Sequence, residues 1–468
     1  MFLKKSISPL FFICLFILVS MQAAIAQDEV LTTDFKQKTI ERLSAMLAER
    51  YVFPDVAKTM GEHFNQQLKA GRFNESKDVK AFAQALTDEA QAISKDKHLR
   101  IRPAPPRAAQ VATIEQKVDG RIQDMEWQRE QVAGFSHAEK FEGNIGYLDL
   151  RGFAAPDFGA PVADHYMALL STSDAIIIDL RKNGGGSPGM VRYLCSYFFE
   201  KPTHLNSLYW REGDRTEEFW TLEKVNGTKL PDVPLFVLTS SYTFSGAEEF
   251  SYNMQTQKRA TLVGETTGGG ANPGGMSPIN DKLAVFIPTG RAINPITKTN
   301  WEGVGVVPEV PVPAAEALDK AKELAAKAAE DYRQQKRELH KSLLLDLYTQ
   351  LENVTEGKEP ELLASLKKSC EANLLNEPEI NGMGYEYLMG LQQPKVAQAI
   401  FYCNTLLFPH SANCYDSYGE ALAANGQMDK AVESYRKAVE LAKTNGDENL
   451  HVFMENLKKV EGQVGKKP

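Results

Sequence analysis

Cysteine is scarce. The chain has five in 468 residues, and Cys14 falls in the extreme N-terminal segment. The remaining four, Cys195, Cys370, Cys403 and Cys414, are too few for a disulfide scaffold. Buried free thiols are expected, with Cys403 and Cys414 the one pair close enough in sequence to suggest a bridge. Metal-binding signatures are also missing: there is no His-Glu-x-x-His, no Cys-x-x-Cys and no sequence cluster of His and Asp. No metal and no cofactor is expected. Basic charge is not in excess, since 53 Lys and Arg face 61 Asp and Glu for a net charge of −8. No Lys/Arg run is dense enough for a nucleic-acid face, so nucleic acid is excluded as a partner. With 43% hydrophobic and 24% charged residues, a disordered chain, a collagen and a coiled-coil rod are excluded as well. At roughly 150 residues per domain, the length predicts two to four domains.

The N-terminus reads as a processing segment. Lys4 and Lys5 precede the apolar run Leu10 to Val19, and Ala24-Ile25-Ala26 has the A-x-A form of a cleavage site. That run is too short to span a bilayer, which takes about 20 residues. Residues 1–26 are therefore expected to be a signal peptide cleaved after Ala26, which predicts a secreted or periplasmic protein.

Three regions follow. Residues 27–106 carry helical spacing, in Phe35, Ile40, Leu43 and Leu47 and again in Val79, Phe82, Leu86 and Ile93. They end in the His98 segment and the proline cluster Pro103-Ala104-Pro105-Pro106, which stops a helix. Residues 107–143 read as a connector. Residues 144–313 alternate short apolar strands (Ile145 to Leu150, Ala175 to Leu180, Leu235 to Leu238, Thr261 to Val263) with helices at Ser187 to Phe199 and Ser245 to Gln257. Such alternation predicts a layered α/β domain. Residues 314–377 read as a helical linker. A 34-residue period then aligns Ala397 with Ala431 and Phe401 with Tyr435. Residues 378–445 are accordingly expected to form two tetratricopeptide repeats, with 446–468 as a capping helix.

Two segments carry candidate chemistry. In Thr239-Ser240-Ser241-Tyr242-Thr243-Phe244-Ser245-Gly246-Ala247-Glu248-Glu249, an apolar strand enters a hydroxyl-rich turn and then a helix. A serine at that junction sits beside free N–H groups and the positive end of a helix dipole, where an oxyanion would be stabilised. A plain N-cap would look the same. In Asp179-Leu180-Arg181-Lys182-Asn183-Gly184-Gly185-Gly186, three glycines after a strand permit a tight turn with exposed N–H groups. No Gly-Lys-Ser/Thr follows, so this is not a phosphate loop of the Walker type. A serine nucleophile needs a base. Of the eight histidines, His63, His340, His410 and His451 lie in helical stretches. His98 lies at a helix-to-strand junction close to Asp96.

Taken together, Asp179-Leu180-Arg181-x-Asn183-x-Gly185-Gly186, Thr239-Ser240-x-x-Thr243-x-Ser245-Gly246-x-Glu248 and Gly264-Glu265-x-Thr267-x-Gly269 resemble the tail-specific (C-terminal-processing) serine peptidase family. So do Asp96-x-His98 upstream and Glu302-Gly303-x-Gly305-Val306-x-Pro308-Glu309 downstream. The resemblance implies a ClpP/crotonase-like ββα core, an N-terminal helical region, a peptide or protein substrate, and Ser245 as nucleophile. One branch of the family uses a lysine within a Gly-Lys-Gly turn, and the matching position is Gly270. The chain instead resembles the tricorn and interphotoreceptor retinoid-binding protein branch. That branch implies His98 as base and Glu302 as the completing carboxylate, with Gly246 and Gly185 N–H groups as the oxyanion hole. Between Pro106 and Gly143 there is no room for the family's PDZ domain.

Rival readings remain at this stage. Ser94-Lys95-Asp96-Lys97 and Ser251-Tyr252-Asn253 match two elements of a β-lactamase pattern, but Lys298-Thr299-Asn300 fails the third at its glycine. A non-catalytic protein that binds a peptide or a lipophile on the same fold is the other alternative. The repeats could engage a protein partner under either reading.

Overall fold

The computed structural model describes residues 31–104, 113–354 and 359–464. The expected signal peptide lies outside the described residues. The chain divides into two compact units at Ala326/Lys327.

The first unit opens with three helices: α1 (Thr33–Arg50), α2 (Pro54–Lys69) and α3 (Val79–Ser94). Thr32 and Asp78 cap α1 and α3 by accepting the Phe35 and Ala81 N–H groups, and Pro54 begins α2 at the position where a proline costs nothing. Their apolar stripes form one core, with Ile40, Leu47, Phe64, Phe82 and Leu86 fully buried. Strand β1 (Arg100–Pro103) closes this region, followed by α4 (Ile114–Glu130) and β2 (Phe135–Phe141). Residues 107–143 are thus more than a connector. β2 is the outer strand of the central sheet, and only Phe135 of its seven residues is buried, which hides it from pattern reading.

The core continues through β3 (Ile145–Leu150), α5 (Pro156–Leu170), β4 (Ala175–Asp179), α6 (Pro188–Ser196), β5 (His204–Trp210), β6 (Arg215–Trp220) and β7 (Leu235–Thr239). After these come α7 (Gly246–Thr256), β8 (Thr261–Gly264), β9 (Gly274–Pro278), β10 (Leu283–Pro288), β11 (Gly290–Ile293) and β12 (Val310–Pro311). The central sheet has the order β12-β8-β7-β4-β3-β2 and is parallel except for β2. Every residue of β4 and β7 is buried, as expected for strands covered on both faces. Two smaller sheets, β1-β10-β9 and β11-β5-β6, complete the unit.

Topology sets the site. β4 and β7 are parallel neighbours, so the glycine loop after β4 and the serine turn after β7 emerge side by side at the carboxyl ends of the strands, where open α/β sheets place ligands. The β1–β10 pairing, with Arg100 opposite Phe286, draws the His98 segment to the same end.

Helix α8 (Ala317–Glu352) runs across the division. The second unit contains α9 (Glu359–Glu371), α10 (Glu377–Tyr385), α11 (Pro394–Leu407), α12 (Ala412–Ala424), α13 (Met428–Asn445) and α14 (Leu450–Val464). Ala397 and Ala431 are both fully buried. Gly384 and Gly419 each abut an aromatic ring, Phe401 and Tyr435 respectively; a Cβ at Gly384 would collide with its ring, and one at Gly419 would press on it at 3.0 Å. Cys403 and Cys414 are buried free thiols, and the bridge does not form.

Candidate active site

Ser245 sits at the N-cap of α7 with φ 54° and ψ −119°, a region non-glycine residues rarely occupy and at a cost on the order of 1–3 kcal/mol. Glu248 holds this turn. Its fully buried carboxylate accepts the Ser245 N–H at 2.8 Å, the Thr267 hydroxyl at 2.5 Å, and the Gly269 and Gly270 N–H groups at 2.6 and 2.8 Å. Burial pushes this carboxyl up, and those four donors draw it back. The chain as a sequence shows Glu248 only as a helix-cap partner three residues after a serine; its role as the clamp between the serine turn and the triple glycine at 268–270 is tertiary.

His98 lies against Phe244 and Phe286, with ring centroids 4.6 and 5.7 Å away. Burial first, then the charge of Arg100, pushes its imidazole down to about 4. Gly270, at the position a lysine would take in the other branch, leaves the space these rings fill: a Cβ there would come within 2.6 Å of the His98 ring. Lys97, at the edge of the same cleft, donates its ammonium to the Gly268 carbonyl at 2.6 Å.

Behind His98 stand two carboxylates. Asp96 is fully buried and accepts from the Tyr51 hydroxyl, the Asn272 amide and the His98 N–H at 3.2, 2.9 and 3.0 Å. Its Oδ1 lies 4.0 Å from His98 Nδ1, beyond hydrogen-bond reach. Glu302 accepts the Ala271 N–H at 2.5 Å through Oε2. The neighbouring Trp301 is pinned by its indole N–H to the Gly270 carbonyl at 2.7 Å. His98 Nδ1 and Glu302 Oε1 are both buried without a hydrogen-bond partner. One ligand-capable atom each of Asp96, His98 and Glu302 lies within 4.8 Å of the others. Burial and the facing Asp96 charge push Glu302 up to about 8, and burial also raises Asp96. Two acids this close hold a proton well into the neutral range.

The triple-glycine loop meets the nucleophile directly. A Cβ on Gly185 (φ 106°) would stand 2.8 Å from Ser245 Cβ and from the Gly246 nitrogen. The Gly185 N–H, however, donates to Asn183 Oδ1 at 2.8 Å. Gly186 (φ 142°) lies beside Gly246, whose Cβ position is 3.0 Å from the Gly186 nitrogen. Ser245, His98, Gly186 and Gly246 line one cleft of about 810 Å³. Glu302 stands behind His98 and does not line it.

Residues 144–312 match the model of peptidase family S41, and residues 24–134 match the N-terminal domain of peptidase S41 in eukaryotic IRBP. The chain belongs to peptidase family S41. It is 23% identical over 177 residues to a carboxy-terminal-processing protease of Bartonella bacilliformis, covering 37% of this chain and 40% of that one. It is 31% identical over 126 residues to a carboxyl-terminal-processing protease of Synechocystis, covering 27% and 28%. The chain thus spans well under half the length of these curated relatives. Among solved structures it is similar to the photosystem II D1 C-terminal processing protease (TM-score 0.38, 14% identity, 61% of this chain and 94% of that one). It is also similar to the tricorn protease (TM-score 0.37, 13% identity, 64% and 37%). Superpositions this loose carry no argument; the layered core is established by its own sheet order and the family match.

The Asp96, His98 and Glu302 trio has donor types that could also grip a cation. Asp96 already accepts three hydrogen bonds and Glu302 one, so a metal would compete with an organised network. Dialysis against EDTA is expected to leave peptide hydrolysis unchanged, and added Zn²⁺ to inhibit by occupying His98. Loss of activity in EDTA, restored by zinc, would show a metal enzyme instead.

Proposed function

We propose that the protein is an extracytoplasmic serine peptidase that cleaves peptide bonds through an acyl-enzyme on Ser245. The observation that carries this reading is the pair of buried, partnerless atoms, His98 Nδ1 and Glu302 Oε1, set behind a cleft that holds a serine in a strained strand-to-helix turn. Buried polar atoms are seldom left unpaired without a functional reason. His98 takes the Ser245 proton, Ser245 Oγ attacks the peptide carbonyl, and His98 returns the proton to the leaving amine. Water, activated by the same imidazole, then releases the acid product. Glu302, once ionised, accepts from Nδ1–H, keeps Nε2 free for the serine proton, and stabilises the imidazolium. For the oxyanion we assign the Gly246 and Gly186 N–H groups. Gly185, the expected donor, already gives its N–H to Asn183. The leader-like pattern of residues 1–26 supports placement outside the cytoplasm, and among the described residues no helix is long and apolar enough to cross a membrane. The glycine-against-aromatic packing of the C-terminal hairpins supports their reading as tetratricopeptide repeats that engage a protein partner.

The pH profile tests the relay. The active form carries neutral His98 facing ionised Glu302, whichever of them holds the proton at lower pH. The proton must leave, so kcat/KM is expected to rise with pH. An unperturbed histidine alone would place that limb near about 6.5. With the carboxyl of Glu302 raised, the limb is expected to move up toward about 8, and Glu302→Gln to abolish that displacement. A limb that stays near about 6.5 in both proteins would separate Glu302 from the relay.

A further inference from the structure

The relay leaves one buried acid at the cleft without a task. Glu249 is 5% exposed, yet it lines the same cleft as Ser245. Its N–H donates to the Ser245 carbonyl at 2.9 Å across the first turn of α7. Residues four apart share a helix face, and side chains lean toward the N-terminus, so this carboxylate is directed to the nucleophile's end of the helix. Burial pushes it up to about 7, eased only by the Asn206 amide, and no lysine or arginine acts on it. A buried acid with no cation is costly unless something arrives to pair with it.

The walls are apolar. The register of the β11-β5-β6 sheet sets Leu208 opposite Ala292 and Glu217, and Asn206 opposite Phe219, so these side chains share one face. Leu208, Ala292 and Phe219 are 3%, 2% and 8% exposed and line the cleft, with exposed Glu217 beside them. The basic residues of the cleft lie on the β1 side. They are Lys97, Arg100 and Arg102, the last two on β1 itself; Lys97 and Arg100 are each tied to a backbone carbonyl, at 2.6 and 2.7 Å.

We propose that this pocket, with Glu249 at its floor, Leu208, Phe219 and Ala292 as walls and Glu217 at its rim, receives a lysine or arginine side chain from the substrate residue whose carbonyl Ser245 attacks. The inference rests on the peptidase reading. Apolar walls suit the methylene stem of such a side chain, and its charged head makes a charge-assisted bond to the floor. The pocket therefore selects for positive charge at that residue, with glutamate disfavoured.

The test compares two diphenyl phosphonates that label serine nucleophiles, one with a lysine-like side chain and one with its uncharged norleucine counterpart, on the full-length wild-type protein. The lysine-like reagent is expected to label Ser245 faster by about 30-fold or more, the scale of losing one partner of a buried charge pair. Glu249→Gln is expected to bring the ratio of the two rates close to one. Equal labelling by both reagents in the wild type would overturn the pocket while leaving the peptidase reading intact. If neither reagent labels Ser245 and no peptide is cleaved, the peptidase reading itself falls, and the pocket with it.

Discussion

Ser245→Ala is expected to abolish fluorophosphonate labelling and to lower kcat/KM on a peptide substrate by about 10³-fold or more. The expectation follows from how much structure is committed to one hydroxyl. The serine occupies a positive-φ conformation that an ordinary helix cap would not need. A fully buried glutamate with four donors fixes the turn. The Gly246 and Gly186 backbones approach closely, and a Cβ on Gly246 would stand a tight 3.0 Å from the Gly186 nitrogen. Among the described residues neither N–H finds an acceptor in the chain, so both remain available for an oxyanion. The alanine variant keeps these donors, and a residual rate above water is therefore compatible with the mechanism. Turnover equal to wild type is not, and would remove Ser245 from the role of nucleophile. Folding can be checked separately from the thermal midpoint of the alanine variant, which also reads any loss from the capping box at Ser245.

What the sequence disclosed and what it concealed divide along a physical line. The strands β3, β4, β7 and β8 announce themselves as apolar runs because both faces are covered, and the serine and glycine turns follow from the strands they terminate. The β5–β6 hairpin is silent. Its second strand, Arg-Thr-Glu-Glu-Phe-Trp at 215–220, buries only Phe219, so neither alternation nor hydrophobicity marks it. The same polarity hid β2 inside the supposed connector. At the site, Ser245, His98 and Glu302 were named from motif resemblance, and the fold gathers them across 204 positions of chain, His98 to Glu302. Asp96 is legible as half of the Asp96-x-His98 motif, with no role attached; its burial against Tyr51 and Asn272 is a tertiary fact. The proposed assignment of Gly186 in place of Gly185 turns on one amide, Asn183, which accepts the Gly185 N–H. No spacing rule distinguishes adjacent glycines at that resolution.

The second large effect concerns the base. His98→Ala is expected to reduce kcat/KM about as severely as loss of the nucleophile, by about 10³-fold or more, whereas Lys97→Ala should keep most activity. The two residues are adjacent, and successive side chains on an extended segment point to opposite sides. The imidazole turns inward between Phe244 and Phe286, while Lys97 is exposed and spends its ammonium on the Gly268 carbonyl. Burial and the Arg100 charge push the His98 imidazole down, toward the neutral form a general base requires. It also has two carboxylates behind it, which would stabilise an imidazolium but oppose the loss of a proton from a lysine. Lys97→Ala should cost only what the tether to the loop at 268–270 contributes, seen as a modest change in KM with kcat nearly kept. Measured side by side at several pH values, the two variants separate the alternatives: an active His98→Ala with a dead Lys97→Ala would replace the triad by a Ser–Lys dyad. Imidazole added to His98→Ala offers a further check, because a small exogenous base that restores part of the rate identifies proton transfer, and not packing against Phe244, as what the substitution removed.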